Sequence, residues 1–255
     1  MPLGNHKLSV DSKLREFIRS GDYFIANFEG TITDRPNKAF FSPSFKKHSR
    51  AVVKQLELFS PAHKTILCVS NNHACDFGKD ALYASVSELR RCHFRVFGLR
   101  EDPFIDINTE LRIVSGTMWL NRACNYVSAL GSAREYVKPG ACTILFPHFG
   151  YEHEWYPRPA IVAQARSLLK DFDAVVGHHT HCPQPVTSES VGGVNKLLAY
   201  SLGNFIGAFK KKGYQSGIVL KVCLGKNNTG AWLVSRVEWR FIYCKVLPNG
   251  DCVVT

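Results

Sequence analysis

The sequence of 255 residues predicts one layered α/β domain in which antiparallel strands are added toward the C-terminus. Three observations support this fold class. Apolar runs of strand length alternate with segments whose apolar residues recur at helical spacing. The pattern becomes entirely strand-like beyond residue 201, and no repeat, low-complexity segment or long linker marks a boundary. We therefore treat residues 1–255 as a single domain.

The elements follow in order along the chain. A strand at Tyr23–Glu29 leads into a loop from Gly30 to His48. Ser49 has the side chain of a helix N-cap, and the next apolar residues recur on one helical face. Asn249-Gly250 is a typical hairpin turn between the last two strands. The remaining predicted strands are 65–70, 95–99, 111–115, 141–148, 173–179, 197–201, 217–224 and 232–243. Three helices are predicted. The first has the apolar face Val52, Leu56 and Phe59, the second has the apolar face Leu82, Val86 and Leu89, and the third spans 159–170.

The charge balance suits an anionic partner, because the formal net charge is +11 with histidine neutral. Only Lys46-Lys47 and Lys210-Lys211-Lys212 form tight basic clusters, and short lysine runs are usually solvated loops. No aromatic stacking platform or recognised binding motif accompanies the charge, so nucleic acid is not an expected partner. An anionic small molecule or polymer is the expected substrate class.

The cysteines and the apolar runs exclude other classes. Nine cysteines form no Cys-x-x-Cys pair, which argues against a disulfide framework and against a zinc-thiolate site. The longest apolar runs have the length of a strand, so no membrane span is expected in this chain. No apolar segment typical of a signal peptide follows Met1, which predicts a cytoplasmic location unless residues upstream of Met1 are missing.

Polar side chains able to bind a metal follow four of the predicted strands. Since ligands of open α/β sheets bind outside the carboxyl ends of the strands, these four loops are expected to converge on one crevice. The segments are Asn27-Phe28-Glu29-Gly30, Asn71-Asn72-His73 with Asp76 and Gly78 beyond, His148-Phe149-Gly150 with Glu152 beyond, and His178-His179-Thr180-His181.

This mixture of imidazole, amide and carboxylate suits a divalent transition metal, Mn, Zn or Fe, bound as one ion or two. A pair of ions requires a bridging carboxylate as well as terminal ligands. Taken alone, a histidine at a strand end is more often a hydrogen-bonded structural residue, and Glu29 alone could be a loop carboxylate. His6, His48, His63 and His93 are assigned to that structural class. Four strand ends that each supply such groups favour a site.

The same segments resemble a known family. Asn-Phe-Glu-Gly (27–30), Asn-Asn-His-Ala-Cys-Asp-Phe-Gly (71–78), His-Phe-Gly-Tyr-Glu (148–152), Gly-His-His-Thr-His (177–181) and Tyr-Ser-Leu-Gly-Asn-Phe (200–205) are similar to the successive signatures of the bacterial capsule synthesis (CapA / poly-γ-glutamate synthesis) family. That family belongs to the calcineurin-like metallophosphoesterase superfamily. The resemblance covers about residues 20–210, and it implies an α/β/β/α metallophosphoesterase-like sandwich.

The resemblance also implies roles for individual residues. Glu29 stands at the position of the metal-bridging carboxylate. His73 would stabilise or protonate the leaving group, with Asp76 orienting it. Asn204 and Glu152 are assigned to substrate binding. The remaining implied metal ligands are Asn72, His148, His179 and His181.

The N-terminus departs from the family pattern. The family opens with a strand that ends in Gly-Asp, whereas this chain begins at Met1-Pro2-Leu3-Gly4, as though within that motif. The first sheet strand and its Asp are therefore expected to be missing, and His6 stands at an unsuitable spacing to replace them.

The leading functional prediction is a metal-dependent hydrolase of a phosphoester or related anionic bond, linked by resemblance to capsule or poly-γ-glutamate metabolism. The alternative is a degenerate, non-catalytic accessory protein that binds an anionic polymer in the same crevice. Nucleic-acid binding ranks third. The substrate, the metal and the oligomeric state are left open by the sequence.

Overall fold

The computed structural model describes residues 7–35, 45–206 and 212–255. The strands are β1 (Leu8–Val10), β2 (Phe24–Asn27), β3 (Thr31–Ile32), β4 (Lys47–His48), β5 (Thr65–Cys68), β6 (Arg95–Phe97), β7 (Phe104–Asn108), β8 (Leu111–Thr117), β9 (Cys142–His148), β10 (Ala174–Val176), β11 (Val186–Val191), β12 (Val194–Ala199), β13 (Ser216–Lys226), β14 (Trp232–Val246) and β15 (Cys252–Val254). The α-helices are α1 (Ser12–Arg19), α2 (Val52–Glu57), α3 (Lys79–Arg91) and α4 (Pro159–Leu168), and three 3₁₀ helices span Ala62–Lys64, Leu130–Tyr136 and Lys212–Tyr214.

These strands form four sheets. A three-stranded parallel sheet has the order β2-β5-β6, and a six-stranded sheet has the order β11-β12-β10-β9-β8-β7. The central strands of the larger sheet are parallel, while β7 and β11 add antiparallel edges. The third sheet, β1-β15-β14-β13, is antiparallel from β13 to β15, and β3 pairs with β4. The predicted antiparallel strands late in the chain are confirmed.

Successive side chains of the strands point alternately into a core between the two sheets and into a core under the helices on the outer face, which defines the layers. Ile66 of β5, Phe146 of β9 and Val176 of β10 meet in one apolar cluster between the sheets. Their neighbour Leu67 points to the opposite face and packs with α2 and α3. Val175 likewise packs with α4 on the outside of the six-stranded sheet. Because successive strand residues face opposite sides, this pattern is an α/β/β/α sandwich, as expected.

The helices bury the faces that their spacing predicts. Leu82, Val86 and Leu89 of α3 are all buried, and Pro159 occupies the first turn of α4, where its missing N–H leaves no hydrogen bond unmade. The predicted cap of α2 is wrong, however. The N-cap residue is Ala51, and Ser49 contributes its backbone carbonyl, which accepts from the amide of Val52 at 3.1 Å.

Some elements differ from the sequence prediction. The strand predicted over 173–179 ends at Val176, because the backbone turns there and His179 has a positive φ of 109°. Helix α1 was not predicted, since only Leu14 and Ile18 of its eight residues are buried. The segments Met1–Gly4 and Lys210-Lys211 and the residue His6 lie outside the described residues.

A disulfide joins Cys75 to Cys124, with 5.9 Å between the Cα atoms. The cysteine pattern did not predict this crosslink, because its two residues are 49 positions apart and share no motif. Cys68, Cys142 and Cys252 are free and buried in strands, as expected for small apolar side chains. Among the described residues, no helix has the length and apolar character needed to cross a membrane.

Candidate metal and catalytic site

The predicted site residues meet at the edge where the carboxyl ends of the parallel strands lie. The three-stranded sheet carries one half of the set on the segments after β2 and β5. The six-stranded sheet carries the other half at the end of β9 and after β10. The first half contains Glu29, Asn72, His73 and Asp76, and the second contains His148, Glu152, His179 and His181.

The backbone beneath the site is tightly packed and locally strained. A Cβ on Gly177 would lie 2.3 Å from both the ring of Phe149 and the carbonyl oxygen of Tyr200, so only glycine fits there. The next residues include His179 with φ 109° and His181 with φ 61°, which L-residues rarely adopt. Backbone strain of this kind is held by surrounding structure and is typical of functional sites.

His148 is fully buried and neutral. Its Nε2 lies 2.9 Å from Asn72 Oδ1, and its Nδ1 lies 2.9 Å from His178 Nδ1. Burial, together with the neighbouring His178, holds the pKa of His148 well below its usual range. Burial likewise lowers the pKa of His178 to about 3. Neutral imidazoles are the form that binds metal ions.

His179 has a buried nitrogen with no hydrogen-bond partner. Its ring centroid lies 4.3 Å from that of His148, and its Nδ1 is unpartnered among the described residues. Burial lowers the pKa of His179 to about 4, although the carboxylate of Glu29 opposes that change. An unsatisfied buried polar atom is rare and costs free energy unless a ligand satisfies it.

Two carboxylates face these histidines. Glu29 Oε1 lies 3.8 Å from His73 Nε2 and 3.9 Å from His181 Nε2, so it stands between the two halves of the site. Glu152 Oε1 lies 3.9 Å from His181 Nε2 and accepts from Asn72 Nδ2 at 3.3 Å. The structure therefore brings both carboxylates close to the histidine and asparagine side chains of the four predicted segments.

His73 and Asp76 form a buried pair. His73 Nδ1–H donates to Asp76 Oδ2 at 2.7 Å, and the same oxygen accepts from the backbone amide of Lys46 at 2.8 Å. This contact fixes the ring so that Nε2 faces Glu29. The arrangement matches the predicted orientation of His73 by Asp76, while the catalytic role of the pair stays a prediction.

Asn204 contacts a candidate ligand rather than lying apart from the set. Its Oδ1 accepts from His181 Nδ1 at 2.9 Å, and its Nδ2 donates to the carbonyl oxygens of His181 and Tyr214. Asn204 therefore orients the imidazole of His181. Its predicted role in substrate binding remains a prediction.

Two residues that contact the site, Asn71 and Asn121, were not assigned to it from the sequence. Asn71 binds the backbone of the neighbouring loop, accepting from the amide of His73 at 3.1 Å and donating to the carbonyl of Phe28 at 2.9 Å. Asn121 contacts His73 and Asn72 from a loop that carries no strand-end motif. Asn71 stood within a quoted motif and could have been found there, whereas Asn121 has no local signal.

The donor set fits a divalent transition metal in its chemistry. Across the described residues, no three His, Cys, Asp or Glu side chains converge as a ready-made cage. The asparagine oxygen adds a donor outside those residue types, and Asn72 Oδ1 lies 2.9 Å from His148 Nε2. Two donors about 2.1 Å from one ion lie roughly 3 Å apart. The ring centroid of His179, whose buried Nδ1 has no partner among the described residues, lies 4.3 Å from that of His148, and these groups are suited to hold an ion.

An aromatic crevice of about 440 Å³ is lined in part by residues that follow two of the site segments in the chain. Its wall begins two residues beyond His153, at Trp155, and two residues beyond His181, at Pro183. No charged side chain lines it. The remaining lining residues include Tyr156, Gln184, Trp239 and Phe241.

Comparison with known proteins shows related sequences and a related fold. The PGA biosynthesis protein CapA of Bacillus subtilis (strain 168) is 22% identical over 253 residues, covering 90% of this chain and 65% of that protein. The capsule biosynthesis protein CapA of Bacillus anthracis is 22% identical over 216 residues, covering 74% of this chain and 51% of that protein. The chain thus spans about two thirds or less of these relatives.

A crystal structure of a hypothetical protein from Thermus thermophilus has a similar fold, with a TM-score of 0.51 at 15% identity over 92% of this chain and 96% of that one. This likeness concerns the fold alone. The family model described as bacterial capsule synthesis protein PGA_cap matches residues 8–117 and 118–208, which include every candidate site residue. The chain therefore belongs to the bacterial capsule synthesis protein (PGA_cap) family.

Proposed function

We propose that this chain is a metal-dependent hydrolase that cleaves a phosphoester or related anionic bond in capsule or poly-γ-glutamate metabolism. The observation that carries the proposal is the buried Nδ1 of His179, which has no hydrogen-bond partner among the described residues, on a ring whose centroid lies 4.3 Å from that of His148. A buried imidazole nitrogen without a partner, on a ring packed against a second histidine, is an unusual arrangement unless a cation completes it.

Two groups of donors, each drawn from both halves of the site, have defined parts. Asn72, His148 and His179 would hold one divalent ion of the Mn, Zn or Fe type, with Glu29 and His181 on the side of a second position. Such an ion, when bound, neutralises charge on the substrate and activates water. Glu29 is suited to the bridging position because it lies between His73 and His181.

His73 is the proposed acid for the leaving group. Its Nδ1–H is held by Asp76, so the other nitrogen, Nε2, is the one directed into the site. Asp76 fixes the direction of the ring, and an N–H at Nε2 can donate to the departing oxygen. The net charge of +11 favours the approach of an anionic substrate.

The role in capsule or poly-γ-glutamate metabolism rests on family membership and on the names of the two CapA relatives. The aromatic crevice offers room for a part of the substrate that carries no charge, since no charged residue lines it. The reacting anionic group would then lie among the histidines.

Metal binding is tested first. The purified chain, stripped with a chelator and titrated with Mn²⁺ by calorimetry, should bind the ion, and saturating metal should raise the melting temperature. His179→Ala should lower the affinity by at least about tenfold, because it removes a donor. His63→Ala, at an exposed position before the start of β5 and so at the opposite end of that strand from the site, is the matched control. A wild type that binds none of Mn²⁺, Zn²⁺ or Fe²⁺ would refute the proposal.

Catalysis is tested second, with bis(4-nitrophenyl) phosphate and Mn²⁺. His73→Ala should reduce turnover by roughly 10²–10⁴-fold while the Mn²⁺ affinity is retained. Loss of Mn²⁺ in this variant would instead make His73 a ligand.

A second candidate function is supported by one observation. Because no three His, Cys, Asp or Glu side chains converge as a cage in the described part of the chain, the site could serve a non-catalytic accessory protein. Such a protein would bind an anionic polymer in the crevice formed by the four strand-end segments. Binding of poly-γ-glutamate without hydrolysis of any phosphoester would favour this alternative.

A further inference from the structure

Asn121 lies between two residues of the proposed site. Its Nδ2 lies 3.3 Å from each ring nitrogen of His73, and its Oδ1 accepts from Asn72 Nδ2 at 3.3 Å. Its backbone amide also donates to the carbonyl oxygen of Asn72 at 3.2 Å. One exposed loop residue therefore contacts the proposed acid and a proposed metal ligand together.

These contacts decide which end of the Asn72 amide faces the metal position. Both N–H groups of Asn72 Nδ2 are directed to oxygen acceptors, Asn121 Oδ1 and Glu152 Oε1. The amide oxygen is consequently turned toward His148 Nε2. Only that oxygen has lone pairs for a cation, so the opposite rotamer would present two donors and repel the ion.

The contact between Asn121 and His73 also restrains a side chain of the proposed site. Asp76 holds Nδ1–H, and the amide of Asn121 lies against the same ring, with its Nδ2 3.3 Å from both ring nitrogens. The imidazole is thereby restrained on two sides. A substrate oxygen that approaches Nε2 finds the ring already oriented.

The loop that carries Asn121 has one buried residue. Between Met118 and Tyr126 most residues are exposed or half-buried, and only Cys124 is buried. Cys124 is joined to Cys75, which stands two residues after His73 and one before Asp76. The disulfide thus ties the loop of Asn121 to the loop of the proposed acid. A segment with so few buried contacts would open readily without such a tether.

We propose that Asn121 is a positioning residue for Asn72 and His73, and that the Cys75–Cys124 disulfide keeps it in place, so that assembly of the site depends on the thiol–disulfide state of this pair. The inference rests on the proposed function for its consequence in metal binding. Reduction by an added dithiol cleaves the Sγ–Sγ bond, passes two electrons to the pair and leaves two thiols, while the dithiol becomes a cyclic disulfide.

The first test uses the metal-free protein and no activity. Dithiothreitol should increase amide hydrogen exchange in residues 118–126 and 71–76, with no comparable increase elsewhere. In histidine ¹H–¹⁵N spectra at fixed pH, the Nε2 resonance of His73 should shift in Asn121→Ala and on reduction. Asn125→Ala, an exposed asparagine of the same loop, should leave it unchanged.

The second test measures Mn²⁺ affinity by calorimetry without reductant. Asn121→Ala and Cys124→Ser should each weaken binding by about 10- to 100-fold, the range for partners that orient metal ligands. The double variant should be no worse than the poorer single variant, because both changes act through one contact. Cys92→Ser, a free half-buried cysteine, is the matched control.

The outcomes separate this inference from the proposed function. Unchanged exchange in residues 118–126 after reduction, or an unshifted His73 resonance in Asn121→Ala, would overturn the positioning role. If the wild type binds no Mn²⁺, the proposed function fails, and the exchange and resonance measurements still decide the inference. Additive losses in the double variant would show that the disulfide does not act through Asn121.

Discussion

The Cys75–Cys124 disulfide should contribute substantially to the free energy of unfolding. The crosslink closes a segment with a sequence separation of 49 residues. In the chain-entropy treatment, closing a loop of about 50 residues in the unfolded chain stabilises the native state by about 4 kcal/mol at 25 °C. For a domain of this size, about 2 °C per kcal/mol gives a difference in melting temperature of about 8 °C.

Thermal unfolding followed by circular dichroism, with and without dithiothreitol, would measure this difference on the metal-free wild type. Using the reduced wild type avoids placing a serine hydroxyl at two buried positions. A Cys75→Ser/Cys124→Ser variant should melt near the reduced protein and show no response to dithiothreitol. Equal melting temperatures for the oxidised and reduced wild type would refute the loop-closure reasoning, because the two forms differ only in this bond.

Three further predictions concern the backbone and the thiols. His179→Gly should be more stable than His179→Ala by about 1 kcal/mol in urea unfolding of the metal-free protein, because φ of 109° is strained for any residue with a Cβ. A His179→Ala variant more stable than His179→Gly, the usual order of alanine and glycine, would contradict this prediction. Gly177→Ala should destabilise by about 1–3 kcal/mol, since its Cβ would lie 2.3 Å from Phe149; a chemical-denaturation midpoint equal to wild type would exclude this clash. Iodoacetamide at pH 8 should label Cys92 and Cys223 and spare Cys68, whose pKa burial raises to about 12; mass spectrometry would reveal modified Cys68 if that is wrong.

The sequence predicted the layers because strand alternation and helical spacing are local signals. Leu82, Val86 and Leu89 gave α3 its buried face, and the strand-end polar residues identified the edge of the sheet at which the site lies. The same reasoning extended the strand over 173–179 too far, because it ends at Val176 and the positive φ of His179 has no signal in the sequence.

Other features depend on contacts between distant parts of the chain. Asn121 meets His73 across 48 residues and Cys124 meets Cys75 across 49, so neither pairing leaves a spacing that sequence reading can detect. Asn204 was assigned to substrate binding, and only the folded chain reveals that its amide holds His181. Hydrogen bonds of this kind depend on tertiary geometry rather than on local propensity.

The two halves of the site stand on different sheets, and that has a consequence for how the protein can change. The distance between Glu29 or Asn72 on one side and His148 or His179 on the other is set by the apolar side chains that separate the sheets, among them Ile66 and Phe146. Interiors packed to crystal density transmit a change of one methylene group. The apolar core between the sheets therefore sets the separation between the two groups of polar side chains. Substitutions in a layer that carries no chemistry can change the distance between the two groups of polar side chains, and under the proposed function they would change ion preference while every histidine is retained.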